Sequence, residues 1–239
     1  FLILNNQTSK NEISNPYAKL DLNADFNANQ LKEADLSYIL DYQSKNPDHY
    51  ILNLGSGNSP KLNSNVVNLD FMSAGIIDVL GSALCLPFRP GSFDAVFCHG
   101  VLEHVPQPFN VALEIKRVTK VNGYIECSVP FLFPFHDVPD HYCNFSTSGI
   151  QQLFLDTKLI DVGVFLGPWY AMNNIVGLYK KMLKRVYKDS TTSMVEKIRV
   201  FIIYRLLSWG MKFDHSTINL TENEKNVLAG AVYIKTRNN

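Results

Sequence analysis

The sequence predicts an α/β fold with a doubly wound, mostly parallel sheet. Short apolar runs alternate with helices or loops from residue 50 onward, a pattern typical of parallel strands joined by crossovers. The 239 residues are 46% hydrophobic, which is enough for the core of one large domain. The 22 Lys and Arg residues balance the 22 Asp and Glu residues. This composition excludes intrinsic disorder and gives no general reason to expect a nucleic-acid partner.

Each predicted element follows from local patterning. Apolar residues recur at helical spacing through 30–44, and Asn46-Pro47-Asp48 ends that helix. Two further helices are predicted near 107–119 and 147–157. The predicted strands are 50–54, 65–70, 76–80, 93–98, 123–129, 159–165 and 229–236. The predicted units are a leader with a helix over 1–48, a core over 49–166, a helical cap over 167–226 and a last core strand over 227–239.

Targeting and redox features indicate a cytoplasmic protein. The first four residues are apolar, but they lack the charged start, long apolar stretch and cleavage site of a signal peptide. The uncharged run 162–179 contains glycines and asparagines, which argue against a membrane-spanning helix. The cysteines are widely spaced, form no zinc-binding pattern and are predicted to be buried and reduced: Cys85, Cys98, Cys127 and Cys143.

The first chemical motif is a glycine turn at the end of the first predicted strand. Gly55-Ser56-Gly57 follows that strand directly, and glycines there let a ligand approach main-chain amides. Asp70 ends the second strand, where a carboxylate can accept hydrogen bonds from both hydroxyls of a ribose. The pattern predicts an adenosine ligand, with a structural strand-end aspartate as the alternative. The third glycine of a dinucleotide fingerprint is absent. This argues against an NAD(P)-dependent oxidoreductase, which is kept as a less favoured alternative.

A longer pattern carries a resemblance to a known family. Residues 86–105 read LPFRPGSFDAVFCHGVLEHV and residues 114–124 read EIKRVTKVNGY. In order and spacing, the stretch from about Ile51 to about Asp161 resembles the class I S-adenosylmethionine-dependent methyltransferases. The resemblance implies a Rossmann-like fold with an antiparallel last strand. It also implies S-adenosylmethionine as the methyl donor and S-adenosylhomocysteine as the product.

The resemblance also implies which residues hold the cofactor. Gly55 and Gly57 would face its methionine part, Asp70 its ribose, and Phe71 its adenine. Asn53 and Ser82 stand where the family often has acidic residues, which allows weaker cofactor binding and keeps a non-catalytic adenosine-binding scaffold as an alternative. The full implied set is Asn53, Gly55, Ser56, Gly57, Asp70, Phe71, Ser82, Ala83, Leu84, Cys98 and His99.

The loop after the fifth long strand is the expected acceptor side. His136 is a candidate general base toward a hydroxyl, with a loop-capping histidine as the alternative. Asp140 could orient His136 or pair with His141, or it could be a turn residue. These three residues together suggest a metal site, but no further ligand lies nearby in the loop, so none is predicted. Glu103 and His104 are predicted to open the next helix, where the carboxylate favours the helix dipole, with a catalytic role as the alternative.

The predicted cap is basic. Residues 176–212 contain nine Lys and Arg residues against two Asp and Glu residues, and a helix near 194–210 is apolar almost all round. A cap at the ligand-binding edge of the sheet favours a small-molecule, glycan or lipid-linked acceptor, methylated on oxygen. It also suggests peripheral contact between 176–212 and an anionic membrane at its inner face. A helical hairpin with a solvated basic face is the alternative, and the oligomeric state is not predicted.

Overall fold

The computed structural model of the protein describes residues 36–72, 76–136, 140–210 and 220–239. Seven strands form one sheet in the order β3-β2-β1-β4-β5-β7-β6. The elements are α1 (Ser37–Lys45), β1 (Ile51–Leu54), β2 (Val66–Asp70), β3 (Val79–Leu80), β4 (Phe93–His99), a 3-10 turn (Leu102–His104), α2 (Pro108–Val118), β5 (Thr119–Pro130), α3 (Thr147–Leu153), β6 (Lys158–Leu166), α4 (Pro168–Lys188), α5 (Met194–Gly210), α6 (Glu222–Val227) and β7 (Ala231–Arg237).

The sheet is mostly parallel, as the sequence predicts. Strands β3, β2, β1, β4 and β5 are parallel neighbours, whereas β7 runs antiparallel to both β5 and β6. The strand order reverses on either side of β1, and open α/β sheets bind ligands outside the carboxyl ends of the strands at such a switch point. The carboxyl ends of β1, β2 and β4 are therefore the place to look for a cofactor.

Helices cover both faces of the sheet, which confirms the doubly wound class. On one face α2 and α3 pack on the strands, and the buried α2 side chains follow helical spacing at Val111, Ile115 and Val118. On the other face, Ile39 of α1 packs in a cluster with Ile51 of β1 and other strand residues. The first face holds the larger apolar core, and the second is more polar toward β5, β7 and β6.

The insertion between the last two strands is helical, as predicted. Helices α4, α5 and α6 all lie between β6 and β7 in the chain. Leu166 at the end of β6 pairs with Ala231 at the start of β7, and the Gly230 N–H donates to the Leu166 carbonyl at 2.7 Å. The chain thus leaves the sheet and returns to it at neighbouring positions.

Some predicted boundaries were wrong by a few residues, for local reasons. The 3-10 turn at Leu102–His104 replaces the predicted helix opening, and α2 begins at Pro108, where a proline at the first helical position lacks only an N–H that would be unpaired anyway. Strand β5 starts directly at Thr119, which pairs with Phe93, and its register against β4 shifts before Tyr124, where Asn122 has a φ of 61°. Helix α3 ends at Leu153, since the Phe154 N–H bonds back to Gln151.

Most of the predicted leader lies outside the described residues, and α1 is its described part. All four cysteines are free, and Cys98 and Cys127 are buried as predicted. The prediction for Cys85 was wrong: it is exposed, because it lies in the loop between β3 and β4 rather than in a strand. No described helix is both long enough and apolar enough to cross a bilayer.

Candidate active site

The glycine turn lies over the carboxyl ends of β1 and β2. Gly55 has a φ of 73° and Gly57 a φ of 54°, a left-handed backbone that favours glycine. The N–H groups of Gly55 and Ser56 both donate to the Leu69 carbonyl, at 2.8 and 3.1 Å. A Cβ on Gly55 would lie 2.1 Å from Cγ2 of Val101, which packs beside the turn. The turn therefore depends on glycine for both its backbone and its packing.

Asp70 closes this turn from the end of β2. Its Oδ2 accepts the Gly57 N–H at 2.8 Å, and its Oδ1 accepts the Met72 N–H at 2.9 Å. The residue is 9% exposed. An ionised carboxylate has about four acceptor positions, so two N–H bonds leave it able to accept further donors. The structure thus places an anchored acceptor beside the glycine turn.

Ser56 and Asn53 lie beneath the turn. The Ser56 hydroxyl is buried and has no hydrogen-bond partner within the described ranges. Asn53 is also buried, and its amide donates to Oδ1 of Asn68 at 3.0 Å. Asn68 in turn donates to the carbonyls of Pro60 and Ile76. Asn53 therefore ties β1 to β2 through a pair of amides, whereas the Ser56 hydroxyl is left without such a bond in the described ranges.

The remaining implied cofactor residues differ in their access to the cleft edge. Phe71, directly after β2, is 55% exposed. The Ser82 hydroxyl accepts the Leu84 N–H at 3.2 Å, while Ala83 is buried and the Leu84 side chain packs on the core. Cys98 is fully buried in the core on the α2 side of the sheet. Its thiol therefore points away from the sheet edge.

His99, the last residue of β4, is buried on the opposite face under α1. The Tyr38 ring stacks on it with centroids 3.9 Å apart, and the Ser128 hydroxyl lies 2.7 Å from Nδ1. Burial, with a smaller effect of the nearby Lys235, lowers the pKa of His99 to about 3. The imidazole is therefore neutral at physiological pH, and it holds α1 to the sheet by stacking.

Three histidines meet at the ends of β4 and β5, a grouping that the sequence suggests if His104 is a spatial neighbour of the loop. Ring centroids lie 4.8 Å apart for His104 and His136, and 4.4 Å apart for His136 and His141. His104 comes from the 3-10 turn after β4, whereas the other two come from the loop after β5. We call these residues, with Glu103, the histidine cluster.

Backbone carbonyls set the tautomers of two of these histidines. Nδ1 of His104 lies 2.5 Å from the Asp140 carbonyl, and Nδ1 of His136 lies 3.2 Å from the Pro134 carbonyl. A carbonyl only accepts, so this network assigns a proton to each Nδ1 and a lone pair to each Nε2 of the neutral rings. The two Nε2 atoms are 3.2 Å apart. Burial lowers the pKa of His104, which favours its neutral form.

His141 and Asp140 support the other two rings. Nδ1 of His141 accepts the His136 backbone N–H at 3.3 Å, and Nε2 donates to Oδ1 of Asn144 at 2.5 Å. Asp140 orients His104 through its backbone carbonyl, and its carboxylate accepts from the Tyr142 hydroxyl at 3.4 Å. The structure thus brings Asp140 to His104 rather than to His136 or His141.

Glu103 lies beside His104 and His136, although the sequence favours a structural role for it over a catalytic one. Its carboxylate is 4% exposed, and Oε1 lies 3.8 Å from Nε2 of His104. No α-helix begins at Glu103, which lies in the first turn of the 3-10 segment instead. The signal that could have found it is an adjacent Glu and His directly after a strand that ends at the ligand edge.

An apolar groove of about 540 Å³ lies between the loop after β5 and α4. Phe133 joins this groove to the histidine cluster: its ring is edge-on to His136 at 5.3 Å and stacked on Tyr170 of α4 at 6.1 Å. A molecule in the groove would have apolar walls and one polar end. The groove is lined by Phe131, Leu132, Phe133, Pro134, Asn144, Ile175, Leu178, Tyr179 and Met182.

The sheet order, the glycine turn after β1 and the acid at the end of β2 together define a class I, Rossmann-like methyltransferase fold. Residues 52–127 match the family described as a methyltransferase domain. This match supports the class I, S-adenosylmethionine-dependent methyltransferase that the sequence predicts.

Individual proteins resemble this chain either over a short stretch or at low sequence identity. The chain is 41% identical over 63 residues to an uncharacterized methyltransferase of Schizosaccharomyces pombe, an alignment that covers 26% of this chain and 23% of that protein. It thus spans about a quarter of the length of the curated relative it matches. An S-adenosylmethionine-dependent methyltransferase of Thermotoga maritima is 13% identical, with a TM-score of 0.47 over 87% of this chain and 92% of that one. The YcgJ protein of Bacillus subtilis is 16% identical, with a TM-score of 0.45 over 84% and 97%.

Proposed function

We propose that this protein transfers a methyl group from S-adenosylmethionine to an acceptor oxygen. The observation that carries the proposal is the cradle at the ends of β1 and β2. There the backbone of Gly55 and Gly57 turns back under Asp70, and the buried Ser56 hydroxyl lacks a partner among the described residues. A buried hydroxyl without a partner is costly unless a ligand satisfies it. The residues present thus fit the cofactor that the domain implies.

Each part of the cradle has a task toward that cofactor. The Asp70 carboxylate, already anchored by two N–H groups, accepts the ribose hydroxyls with its remaining lone pairs. The exposed Phe71 ring packs against the adenine, and the Ser56 hydroxyl bonds to the amino-acid part. When bound, S-adenosylmethionine supplies a methyl group that its sulfonium already activates. The protein then needs only to align the acceptor, exclude water and remove a proton.

The acceptor side of this proposal is the histidine cluster with the apolar groove. A neutral Nε2 lone pair of His136 or His104 can take the proton of a hydroxyl, while His141 and Asp140 position the two rings. The groove holds an apolar part of the acceptor next to this polar end. This arrangement favours O-methylation of a small-molecule, glycan or lipid-linked acceptor. Nucleic acid is not the acceptor that we propose.

Incubation with methyl-labelled cofactor and a cell extract is expected to transfer label to one class of molecule. The extract is then separated into lipid, glycan, protein and small-molecule pools, and binding of S-adenosylhomocysteine is measured by calorimetry on the same preparation. An Asp70→Ala variant, which is expected to bind the cofactor weakly and to transfer little label, serves as the control. If the wild-type chain binds S-adenosylhomocysteine but labels no pool, the non-catalytic scaffold is the better account. If it binds NADH instead, both are wrong.

The cap also supports contact with an anionic membrane at its cytoplasmic face. Several apolar side chains of α5 are at least half exposed, among them Phe201, Leu206 and Trp209. Arg185 and Lys188, near the end of α4, are exposed basic residues. Lys184 contacts the Tyr204 ring of α5 at 5.5 Å, so the two helices form one hairpin. Exposed apolar and basic residues on one element are the features that bind interfacial helices to anionic lipid.

Replacing Leu206 and Trp209 together with glutamate is expected to reduce co-sedimentation with phosphatidylserine-containing vesicles about tenfold or more. The two side chains supply exposed apolar area, and the new charges oppose the lipid surface. The matched control replaces two equally exposed apolar residues of α2, Phe109 and Leu113, with glutamate. Equal loss in both double variants, or no preference of the wild type for anionic vesicles, would contradict the membrane proposal.

A further inference from the structure

We propose that Glu103, His104 and His136 bind one divalent transition-metal ion, and that Zn²⁺ suits their donor set best. One ligand atom from each residue lies within 4.8 Å of the others. The ligands come from two separate segments, the 3-10 turn after β4 and the loop after β5. The site is distinct from the cradle at β1 and β2, and ion binding there does not require the methyl donor.

The directions of the histidine lone pairs favour a positive ion between the two rings. The Nδ1–H groups of His104 and His136 donate to backbone carbonyls, so both Nε2 lone pairs face each other across 3.2 Å. Two such lone pairs repel unless a positive group lies between them. A shared proton or a metal ion can be that group, and the remaining observations favour the metal.

The distance between the two histidine nitrogens fits a tetrahedral Zn²⁺ ion. Two imidazoles at the usual Zn–N distance with a tetrahedral angle have their nitrogens roughly 3.3 Å apart. The Nε2 atoms of His104 and His136 are 3.2 Å apart, which matches this spacing. Oε1 of Glu103 lies 3.8 Å from Nε2 of His104, and the three ligand atoms lie within 4.8 Å of one another, so the carboxylate has to move toward the two rings to share an ion with them.

The carbonyl partners of the two rings and the buried charge of Glu103 also favour a metal ion. Metal-binding histidines almost always donate their other N–H to a carbonyl or carboxylate, as the Asp140 and Pro134 carbonyls require here. The Glu103 carboxylate is 4% exposed and the His104 side chain 16% exposed. A buried carboxylate is stabilised by a nearby cation, and a shared proton supplies less charge than a divalent ion.

The sequence suggests a different set of metal ligands from the one that the structure brings together. Of His136, Asp140 and His141, only His136 belongs to the proposed site, since both ring nitrogens of His141 already have partners. Glu103 and His104 supply the other ligands. Three protein ligands leave one position open on Zn²⁺, as in catalytic zinc sites.

The open position has a consequence that rests on the proposed function. A hydroxyl of the acceptor bound there is more acidic, so it loses its proton to water more readily than a free hydroxyl does. Its oxygen then forms the new O–CH₃ bond while the C–S bond of the donor breaks, with that electron pair remaining on sulfur. In this state the two Nε2 atoms hold the ion and no longer act as bases.

The test is metal titration of the full chain after treatment with a chelator. Calorimetry with Zn²⁺ is expected to show one ion per chain with a Kd of about 1 μM or tighter. Co²⁺ is expected to give visible absorption bands of a four-coordinate site. The double variant His104→Gln/His136→Gln should bind about 100-fold more weakly, and Glu103→Gln should also weaken binding. His49→Gln is the control: this histidine bonds to the Tyr42 hydroxyl outside the histidine cluster, and its variant should bind within a few-fold of the wild type.

Two outcomes would overturn the proposal. The first is a wild type that binds no more Zn²⁺ than the double variant. The second is an NMR titration in which His104 and His136 share a proton with no effect of added Zn²⁺. S-adenosylhomocysteine binding and thermal unfolding are measured on every variant, so a misfolded protein is recognised. Because the cradle binds S-adenosylhomocysteine without the ion, failure of the metal site and failure of the methyltransferase proposal give different results.

Discussion

Replacement of Asp70 with alanine is expected to lower the affinity for S-adenosylhomocysteine about 100-fold. The carboxylate would lose two hydrogen bonds to ribose, and bonds to charged groups contribute about 1.5–3 kcal/mol each. It would also release the Gly57 N–H, which Asp70 holds at 2.8 Å, so the glycine turn itself would loosen. Calorimetric titration of both proteins measures the change.

The matched control for this prediction is Asp94→Ala. Asp94 also accepts a backbone N–H, that of Tyr50 at 3.0 Å, and it pairs with Lys120 at 2.7 Å. It lies at the amino end of β4, away from the proposed cradle, so its loss should lower stability without changing the affinity for the ligand. Undiminished binding by the Asp70 variant would show that this aspartate is structural.

Replacement of Gly55 with alanine is expected to reduce the free energy of unfolding by about 2–4 kcal/mol. An alanine backbone is strained at the φ of 73°, and its Cβ would lie 2.1 Å from Cγ2 of Val101. Urea unfolding measures the loss. In the double variant Gly55→Ala/Val101→Ala, the steric part should be recovered and the backbone part should remain.

Gly177→Ala separates this effect from a general effect of glycine replacement. Gly177 lies inside α4, and a Cβ there would meet nothing within 4 Å. Alanine is the better helix former by about 1 kcal/mol, so this variant should be slightly more stable than the wild type. A Gly55 variant as stable as the wild type would mean that the turn can change shape, and the cradle would then not be preformed.

The cradle could be predicted from sequence because its parts are local. A strand, a glycine turn and an acid at the end of the next strand are each visible in a short stretch, and strand order places them together. Asn53 shows the limit of such patterns. It looks like a neutral replacement for an acid, but in the fold its amide bonds to Asn68 across the β1–β2 pair. Only the register of two strands reveals that contact.

The histidine cluster could be predicted only in part, because tertiary contacts shape the turn after β4. The Tyr142 N–H donates to the Glu103 carbonyl at 2.7 Å and holds that turn against the loop after β5. Helical patterning does not contain this contact, so it predicts a helix opening at Glu103. The cap differs in another way: its patterning predicts that the protein, a partner or a lipid surface covers the apolar α5, and in the chain alone Phe201 is 54% exposed and Trp209 64% exposed. Local sequence cannot tell which surface covers such a helix.

The pairing of Leu166 with Ala231 has a consequence for how such an enzyme can change its substrate. Because the Gly230 N–H bonds directly to the Leu166 carbonyl, the sheet contains a complete β6–β7 hairpin whatever the connection between them. Loop closure becomes only slowly less favourable with length, so the connection can be lengthened or exchanged at small energetic cost. The strands that carry the proposed cradle and the connection between β6 and β7 are thus different parts of the fold. Grafting a different helical pair at this junction is a direct way to redesign acceptor choice without disturbing the strands that carry the cradle.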